Sequence, residues 1–141
     1  YPIVSLRKWK GGPLRYVRAI EETLVSTLNE FGIEATSAEK PTGVWVGDAK
    51  IAAIGVRVSR GVTMHGLALN VTTDLSFFDR IVPCSMPDLI VTSLAKLLGQ
   101  DIGLDEVSSV LLRHFGRVMG YAMDYTVLSY HSSTGNPLLH T

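Results

Sequence analysis

The sequence predicts an α+β domain in which helices pack against one sheet. Three observations favour this class: helical spacing of apolar residues in the first third of the chain, strand-like segments joined by short glycine turns in the middle, and a return to helical spacing afterwards. With 141 residues, 46% of them hydrophobic, the chain has the size of one globular domain with its own core.

The first predicted element is a helix over residues 14–31. It follows a turn at residues 10–13 that ends in Pro13, a residue suited to the first turn of a helix, and Gly32 provides its stop. The residues that recur at helical spacing and should face the core are Leu14, Val17, Ile20, Leu24, Leu28 and Phe31.

The middle of the chain predicts three antiparallel strands in sequence. Residues 43–46 and 50–58 are rich in β-branched and aliphatic side chains, and the short turn between them predicts a hairpin. A second turn at residues 59–61 leads to a third strand over residues 62–71. Gly55 and Gly66 lie inside predicted strands, where glycine marks either a bulge or the close approach of a ligand.

After Asp74 the pattern is helical again. It predicts a short segment through Phe77 and Phe78, a loop at residues 83–87, and helices over residues 92–98 and 104–118. In the last helix, the residues expected to face the core are Leu104, Val107, Leu111, Phe115 and Val118. Residues 125–141 lose this periodicity and gather serine, threonine, glycine, asparagine and proline, so they predict a loosely ordered tail after a domain of residues 1–124.

Composition excludes several classes of protein. Thirteen basic and thirteen acidic residues give no net charge, so no overall field attracts nucleic acid or an anionic membrane. No apolar run approaches the roughly 20 residues that span a bilayer. One cysteine excludes an internal disulfide and a cysteine-based zinc site, and it favours a reducing compartment. Because the chain starts at Tyr1 rather than at methionine, we expect a cut or processed N-terminus.

The cysteine, Cys84, lies in the predicted loop between Pro83 and Pro87, where a reactive group is well placed. A lone cysteine is more often a small core residue. An ordinary thiol, with a pKa of about 8.5, is only a few per cent thiolate at neutral pH, so catalysis would need a neighbouring cation. Lys50 opens an otherwise apolar strand and is a candidate, although a lysine extending from a strand end to water has the same pattern.

His65 interrupts an apolar strand and is either a base or a histidine satisfied by the backbone. The other histidines lack the spacing of a metal site, and we assign no metal ligand. No phosphate loop, serine elbow or zinc-protease motif is present in the sequence.

Four blocks of sequence, residues 42–46, 50–57, 62–70 and 78–84, resemble the lipoyl(octanoyl) transferase family in order and spacing. The resemblance runs from Tyr1 to about Gly120, so the chain looks like the C-terminal part of one octanoyltransferase catalytic domain without its N-terminal segment. It implies a mixed sheet with packed helices, similar to the catalytic fold of the biotin and lipoate protein ligases.

The resemblance also implies a reaction without metal, nucleotide or other cofactor. Octanoyl would pass from acyl carrier protein to Cys84 as a thioester, and then to a lysine on a lipoyl domain of a 2-oxoacid dehydrogenase E2 subunit or of the glycine cleavage H protein. Lys50 would lower the pKa of Cys84 and relay protons, and His65 could support the site. The acyl chain would lie along two strand segments, Ala53, Ile54 and Gly55, and Gly66, Leu67 and Ala68.

Two departures from the family pattern concern this site. The arginine-glycine-glycine and tyrosine-histidine-glycine-proline-glycine stretch of the family would lie before Tyr1, and Ser85 stands where the family has glycine. Two alternatives follow: a truncated relative that only binds acyl carrier protein or lipoyl domains, and an ATP-dependent lipoate or biotin ligase, which would not need Cys84. The family implies mitochondria in a eukaryote and cytoplasm in a bacterium.

Overall fold

The computed structural model describes residues 1–9, 11–37, 41–80 and 89–124, and for Lys8, Asp79 and Arg80 it describes the backbone alone. The elements are helix α1 (Gly12–Glu30), strands β1 (Val44–Val46), β2 (Ala49–Ser59) and β3 (Val62–Leu69), and helices α2 (Leu94–Leu98) and α3 (Leu104–Met119). Short 3₁₀ turns occupy Leu6–Lys8 and Leu75–Arg80. The predicted loop at residues 83–87 and the tail at residues 125–141 lie outside the described residues.

Helix α1 forms the centre of the core. Tyr16, Ile20, Leu24 and Leu28 are fully buried, as the three-and-four spacing requires. The prediction was wrong for Leu14, which is 71% exposed, because at 3.6 residues per turn it lies about 120° around the helix from Ile20, away from the buried face. The predicted end is confirmed.

Helix α3 packs along α1 and closes one side of the core. Val107, Phe115 and Met119 are buried, whereas Leu104, predicted to be buried, is 61% exposed at the first residue of the helix. Polar contacts join the helices at their exposed edge: Glu30 accepts from Arg113 Nη2 at 2.6 Å and pairs with His114 Nε2 at 2.7 Å. The hydrogen bond from Arg113, and then that of His114, hold the pKa of Glu30 below its ordinary value.

The sheet has the order β1-β2-β3, and all of these pairs are antiparallel, as predicted. Arg60 and Gly61 both have positive φ, at 52° and 80°, which gives the tight turn whose twist suits adjacent antiparallel strands. The predicted third strand ends two residues early, at Leu69. Asn70 still donates its backbone N–H to Ile51 O of β2, but its carbonyl accepts from Leu94 N and its side chain donates to Thr92 O at 3.1 Å.

Two pairings extend this sheet beyond the predicted meander. The N-terminal segment lies antiparallel to the start of β3, with Thr63 N donating to Val4 O at 2.9 Å and Leu6 N donating to Gly61 O at 2.7 Å. At the other end, Val91 forms a parallel bridge with Lys50. The parallel bridge makes the sheet mixed, so the predicted fold class is confirmed.

Candidate functional site

Lys50 is the second residue of β2 and is only 7% exposed. Its ammonium nitrogen lies 5.4 Å from the centroid of the Trp45 ring, directly across the β1-β2 pair. A cation held over an indole face at this distance is stabilised by about 0.5–2 kcal/mol. Within the described part of the chain no carboxylate forms an ion pair with Lys50. The lysine is therefore a buried cation, not the solvated strand end that composition also allowed.

The Lys50 side chain lies between two walls: the Trp45 ring on one side and the backbone of Gly43 on the other. A Cβ atom at position 43 would lie 2.6 Å from Lys50 Cε and 2.7 Å from the carbonyl oxygen of Ala52, closer than such atoms approach. Gly43 also has φ of +138°, a region that suits glycine. The lysine stem thus passes between a bare backbone and an aromatic ring.

The backbone at Lys50 departs from regular strand geometry. Lys50 O accepts from Thr92 N and Ile51 O accepts from Asn70 N, each at 3.0 Å, on the side of β2 away from β1. Since consecutive carbonyls of a regular strand alternate, this is a bulge, and it coincides with the register shift between Val44 and Trp45. Bulges re-aim side chains, and this one lies at the lysine.

The six residues predicted to line an acyl chain form three cross-strand pairs: Ala53 with Ala68, Ile54 with Leu67, and Gly55 with Gly66. The register is unbroken here, so the bulge that strand glycines also predicted is absent from this part of β2 and β3. Because successive side chains of a strand point to opposite faces of the sheet, these six residues are divided between the two faces. The alanine and glycine pairs lie on one face, whereas Ile54 and Leu67 pack against the core on the other.

The two glycines differ in what surrounds them. Among the described residues, a Cβ at Gly55 would meet nothing within 4 Å, while one at Gly66 would lie 2.6 Å from Pro2 Cδ. Gly66 is thus required by the N-terminal segment packed on it. Gly55, Ala53 and Ala68 are exposed, and no contact with a described residue requires a glycine at position 55. An open, small-residue surface therefore extends along β2 from the region of Lys50.

His65 does not join Lys50. It pairs with Val56, six residues along β2 from Lys50, a separation of about 20 Å at the usual rise per residue. Its ring lies edge-on to Tyr1, with centroids 6.3 Å apart, and its φ is +63°. A supporting role for His65 at the lysine would require a second element to bridge that separation.

Cys84 lies outside the described residues, so its relation to Lys50 stays a prediction. Chain connectivity limits it: Ile90, six positions after Cys84, accepts a hydrogen bond from Lys50 N at 2.8 Å through its carbonyl. Six residues span at most about 20 Å, so chain connectivity limits the distance between Cys84 and the Lys50 backbone to about that length.

A separate apolar cavity of about 560 Å³ lies between the N-terminal segment, β3 and α3. Leu67 lines it from the sheet, and Leu111, Phe115 and Met123 line it from the helix side. Its described lining is mostly apolar and has no lysine, histidine or carboxylate side chain.

Sequence reasoning missed two side chains near Lys50. They are Trp45 of β1, which is 5% exposed, and Glu21 of α1, which is 1% exposed although it is charged. Glu21 Oε1 accepts from Gly43 N at 3.3 Å, and Oε2 pairs with Arg18 Nη1 at 2.7 Å. A glutamate at an apolar position of a helical repeat was the available signal.

Elsewhere in the described ranges, no group of three metal-ligating side chains gathers, and no helix is long and apolar enough to span a membrane.

This fold and this buried lysine define a class. The chain belongs to the lipoyl protein ligase A/B catalytic domain family, whose model matches residues 1–116. An octanoyltransferase of Solibacter usitatus is 54% identical over 123 residues, which are 87% of this chain and 55% of that protein. The predicted family resemblance is confirmed. The chain spans about half the length of the curated relatives it matches.

Solved structures share the fold. The apo biotin protein ligase of Aquifex aeolicus superposes with a TM-score of 0.65 at 18% identity, covering 84% of this chain and 50% of that one. A lipoate-protein ligase A bound with ATP superposes with a TM-score of 0.64 at 24% identity, covering 79% of this chain and 49% of that one. The expected likeness to the biotin and lipoate ligase fold is confirmed.

Proposed function

We propose that this chain provides the acyl-carrying cysteine and the catalytic lysine of an octanoyltransferase of lipoate biosynthesis. The observation that supports this most directly is the burial of Lys50 beside the exposed small-residue pairs of β2 and β3. A buried cation can hold a thiolate, and a surface without large side chains leaves room for an acyl chain. The similarity to curated octanoyltransferases supports the choice of substrate.

In the first half-reaction, the Cys84 thiolate attacks the thioester carbonyl of octanoyl-acyl carrier protein. A new carbon–sulfur bond to Cys84 forms, the bond to the carrier sulfur breaks, and the leaving thiolate takes a proton from the Lys50 ammonium. One thioester replaces another, so no ATP is needed. The ammonium of Lys50 before this step favours the thiolate form of Cys84.

In the second half-reaction, the ε-amine of a lysine on the acceptor attacks the Cys84 thioester. The amide carbon–nitrogen bond forms, the bond to Cys84 breaks, and Lys50 takes the proton that the amine loses. Cys84 returns to thiolate and Lys50 to ammonium, so protons balance over the cycle. We propose as acceptors the lipoyl domains of 2-oxoacid dehydrogenase E2 subunits and the glycine cleavage H protein, in mitochondria or in bacterial cytoplasm.

Burial of the acyl chain supplies binding energy of about 0.8 kcal/mol for each methylene removed from water. Ala53, Gly55 and Ala68 form the floor of this proposed acyl site, and the backbone of Ile54, Gly66 and Leu67 completes it. His65 has the weakest claim to a role, since it is separated from Lys50 by about six residues of strand β2.

Intact-mass spectrometry after incubation with octanoyl-acyl carrier protein tests the proposal. We expect one added octanoyl group that hydroxylamine removes and that Cys84→Ala abolishes. Lys50→Met should slow its formation by about 10²–10⁴-fold, the usual range for a lost proton-transfer group. Lys96→Met is the matched control, because Lys96 is an exposed lysine on α2, and it should leave the rate unchanged.

Other outcomes identify the alternatives. The second candidate is a protein that only binds the partners. It predicts no adduct but retained binding to acyl carrier protein or a lipoyl domain. A ligase predicts ATP-dependent acylation of the acceptor that Cys84→Ala does not affect.

A further inference from the structure

Glu21 is a buried carboxylate that neither the core nor the proposed acyl transfer requires. It lies on α1 among fully buried apolar neighbours and is itself only 1% exposed. Taking a carboxylate out of water is strongly unfavourable unless hydrogen bonds and a counter-charge compensate. Glu21 has both kinds of partner: Arg18 Nη1 at 2.7 Å and the backbone N–H of Gly43 at 3.3 Å.

The second of these bonds acts at the entrance to β1. Gly43 immediately precedes Val44, and its bond to Glu21 fixes the backbone where φ is +138°. Because the backbone is fixed there, it lies against the Lys50 stem: a Cβ at position 43 would be 2.6 Å from Lys50 Cε and 3.2 Å from Nζ. Glu21 therefore determines the position of the wall beside the lysine.

The opposite wall is held independently of Glu21. Trp45 exchanges two backbone hydrogen bonds with Thr36, at 2.8 and 2.9 Å, and its indole N–H donates to Pro41 O at 3.0 Å. The indole is thus fixed by β1 and the segment before it, while Gly43 is fixed by α1. Lys50 lies between the two walls, and ordering its long side chain there removes rotamer entropy that the contacts with both walls must compensate.

We infer that Glu21 is a positioning residue, which through Gly43 holds the Lys50 ammonium over Trp45. Lys50 is the catalytic lysine of the proposed function, so the catalytic value of this positioning rests on that proposal. The geometry by which Glu21 positions Lys50 does not depend on the proposed function. Arg18, whose side chain is 56% exposed, completes the arrangement by neutralising the buried carboxylate from the solvent side.

The test variant is Glu21→Gln, which has nearly the same shape. Its single amide oxygen cannot serve both partners, because the amide NH₂ would then face either Gly43 N–H or the Arg18 guanidinium. Glu22→Gln is the matched control: it removes the same charge one position further along α1, at an exposed site. Lys50→Met provides the spectroscopic reference for a Trp45 ring without its cation.

Two measurements on the whole chain decide whether Glu21 positions the lysine, and neither requires catalysis. The indole Nε1–H resonance of Trp45 should move toward its Lys50→Met position in Glu21→Gln and remain in place in Glu22→Gln. Amine labelling followed by mass spectrometry should modify Lys50 about 10-fold faster in Glu21→Gln, with exposed Lys96 as the internal reference. A role confined to stability would lower the melting temperature without moving the Trp45 resonance.

A third measurement connects the positioning to acyl transfer. We expect kcat to fall about 10-fold in Glu21→Gln, with KM for octanoyl-acyl carrier protein changed less than twofold. If no variant and no wild-type protein forms a thioester, the proposed function fails, whereas the Trp45 resonance still reports the positioning. An unchanged resonance in Glu21→Gln would overturn the inference, as would a shifted resonance with unchanged kcat. Should Glu21→Gln not fold, Arg18→Gln, altered at a half-exposed site, should shift the resonance in the same direction.

Discussion

Gly55 is the position in this site at which a substitution should change stability and acyl transfer in opposite directions. A Cβ at position 55 meets no atom of the described ranges within 4 Å, and the residue has no left-handed φ, so alanine fits without strain. Glycine within a strand costs roughly 0.5–1 kcal/mol relative to alanine because it loses more conformational freedom on folding. Gly55→Ala should therefore raise stability by that amount, which is about 2–4 °C in melting temperature.

The same change should impair acyl transfer if Gly55 forms the floor of the acyl site. The added methyl group projects into the space where an acyl chain would lie, and each methylene kept from burial costs about 0.8 kcal/mol, or roughly fourfold in kcat/KM. Gly55→Val, which is bulkier and suits a strand, should displace about two methylenes and reduce kcat/KM roughly 10-fold or more.

The assay combines thermal unfolding with thioester formation on Cys84 from octanoyl- and butyryl-acyl carrier protein. The loss should be larger for octanoyl, because the shorter chain extends less far along β2. Gly103→Ala is the control, since Gly103 also has open space around a Cβ but lies at the start of α3. Full octanoyl transfer by Gly55→Val would refute the floor assignment, and a destabilised Gly55→Ala would show that the strand itself needs the glycine.

Two further predictions concern the contacts that hold the fold. Glu30→Gln should lower the melting temperature at pH 7: because the folded pKa of Glu30 is lowered, its stabilisation is present above the ordinary value of 4.5 and disappears as the pH falls through the folded pKa. Melting curves of variant and wild type should therefore converge in acid, and a constant difference would contradict the ion-pair explanation. Thr63→Val removes the hydroxyl that accepts from Val4 N at 2.7 Å and donates to Pro2 O at 2.9 Å, so it should cost about 1–3 kcal/mol and increase amide hydrogen exchange at Val4, while exchange in α3 stays unchanged.

The elements with local signals were predictable from the sequence. Helices α1 and α3 have apolar spacing over four or more turns, and the β1-β2-β3 meander has tight turns with glycine, so nearest-neighbour chemistry was sufficient. Errors in predicted burial occurred at the helix starts, where Leu14 and Leu104 were expected to face the core but are exposed. Apolar spacing identifies one face of a helix, but it does not show which of the end residues another element covers.

The pairings that sequence could not predict are long-range. The N-terminal segment joins β3 across about sixty positions, and the parallel bridge joins Lys50 to Val91, because tertiary packing rather than local propensity selects these partners. The parallel bridge matters most for the site. It brings the chain that follows Cys84 to the backbone of Lys50, and spacing alone contains no information on that meeting.

Lys50 shows why the local sequence pattern did not identify this site. From its neighbours alone, Lys50 had the pattern of a charge extending from a strand end into water, and only family resemblance assigned it a role. Its burial depends on three features contributed by different parts of the chain: a tryptophan across the strand pair, a glycine that leaves its stem room, and a glutamate on α1 that fixes that glycine. The sequence around Lys50 does not indicate any of these three contacts, because they form only in the folded chain. A buried cation with such support costs stability that a simple strand end would not, and that cost is understandable if Lys50 must face a thiolate.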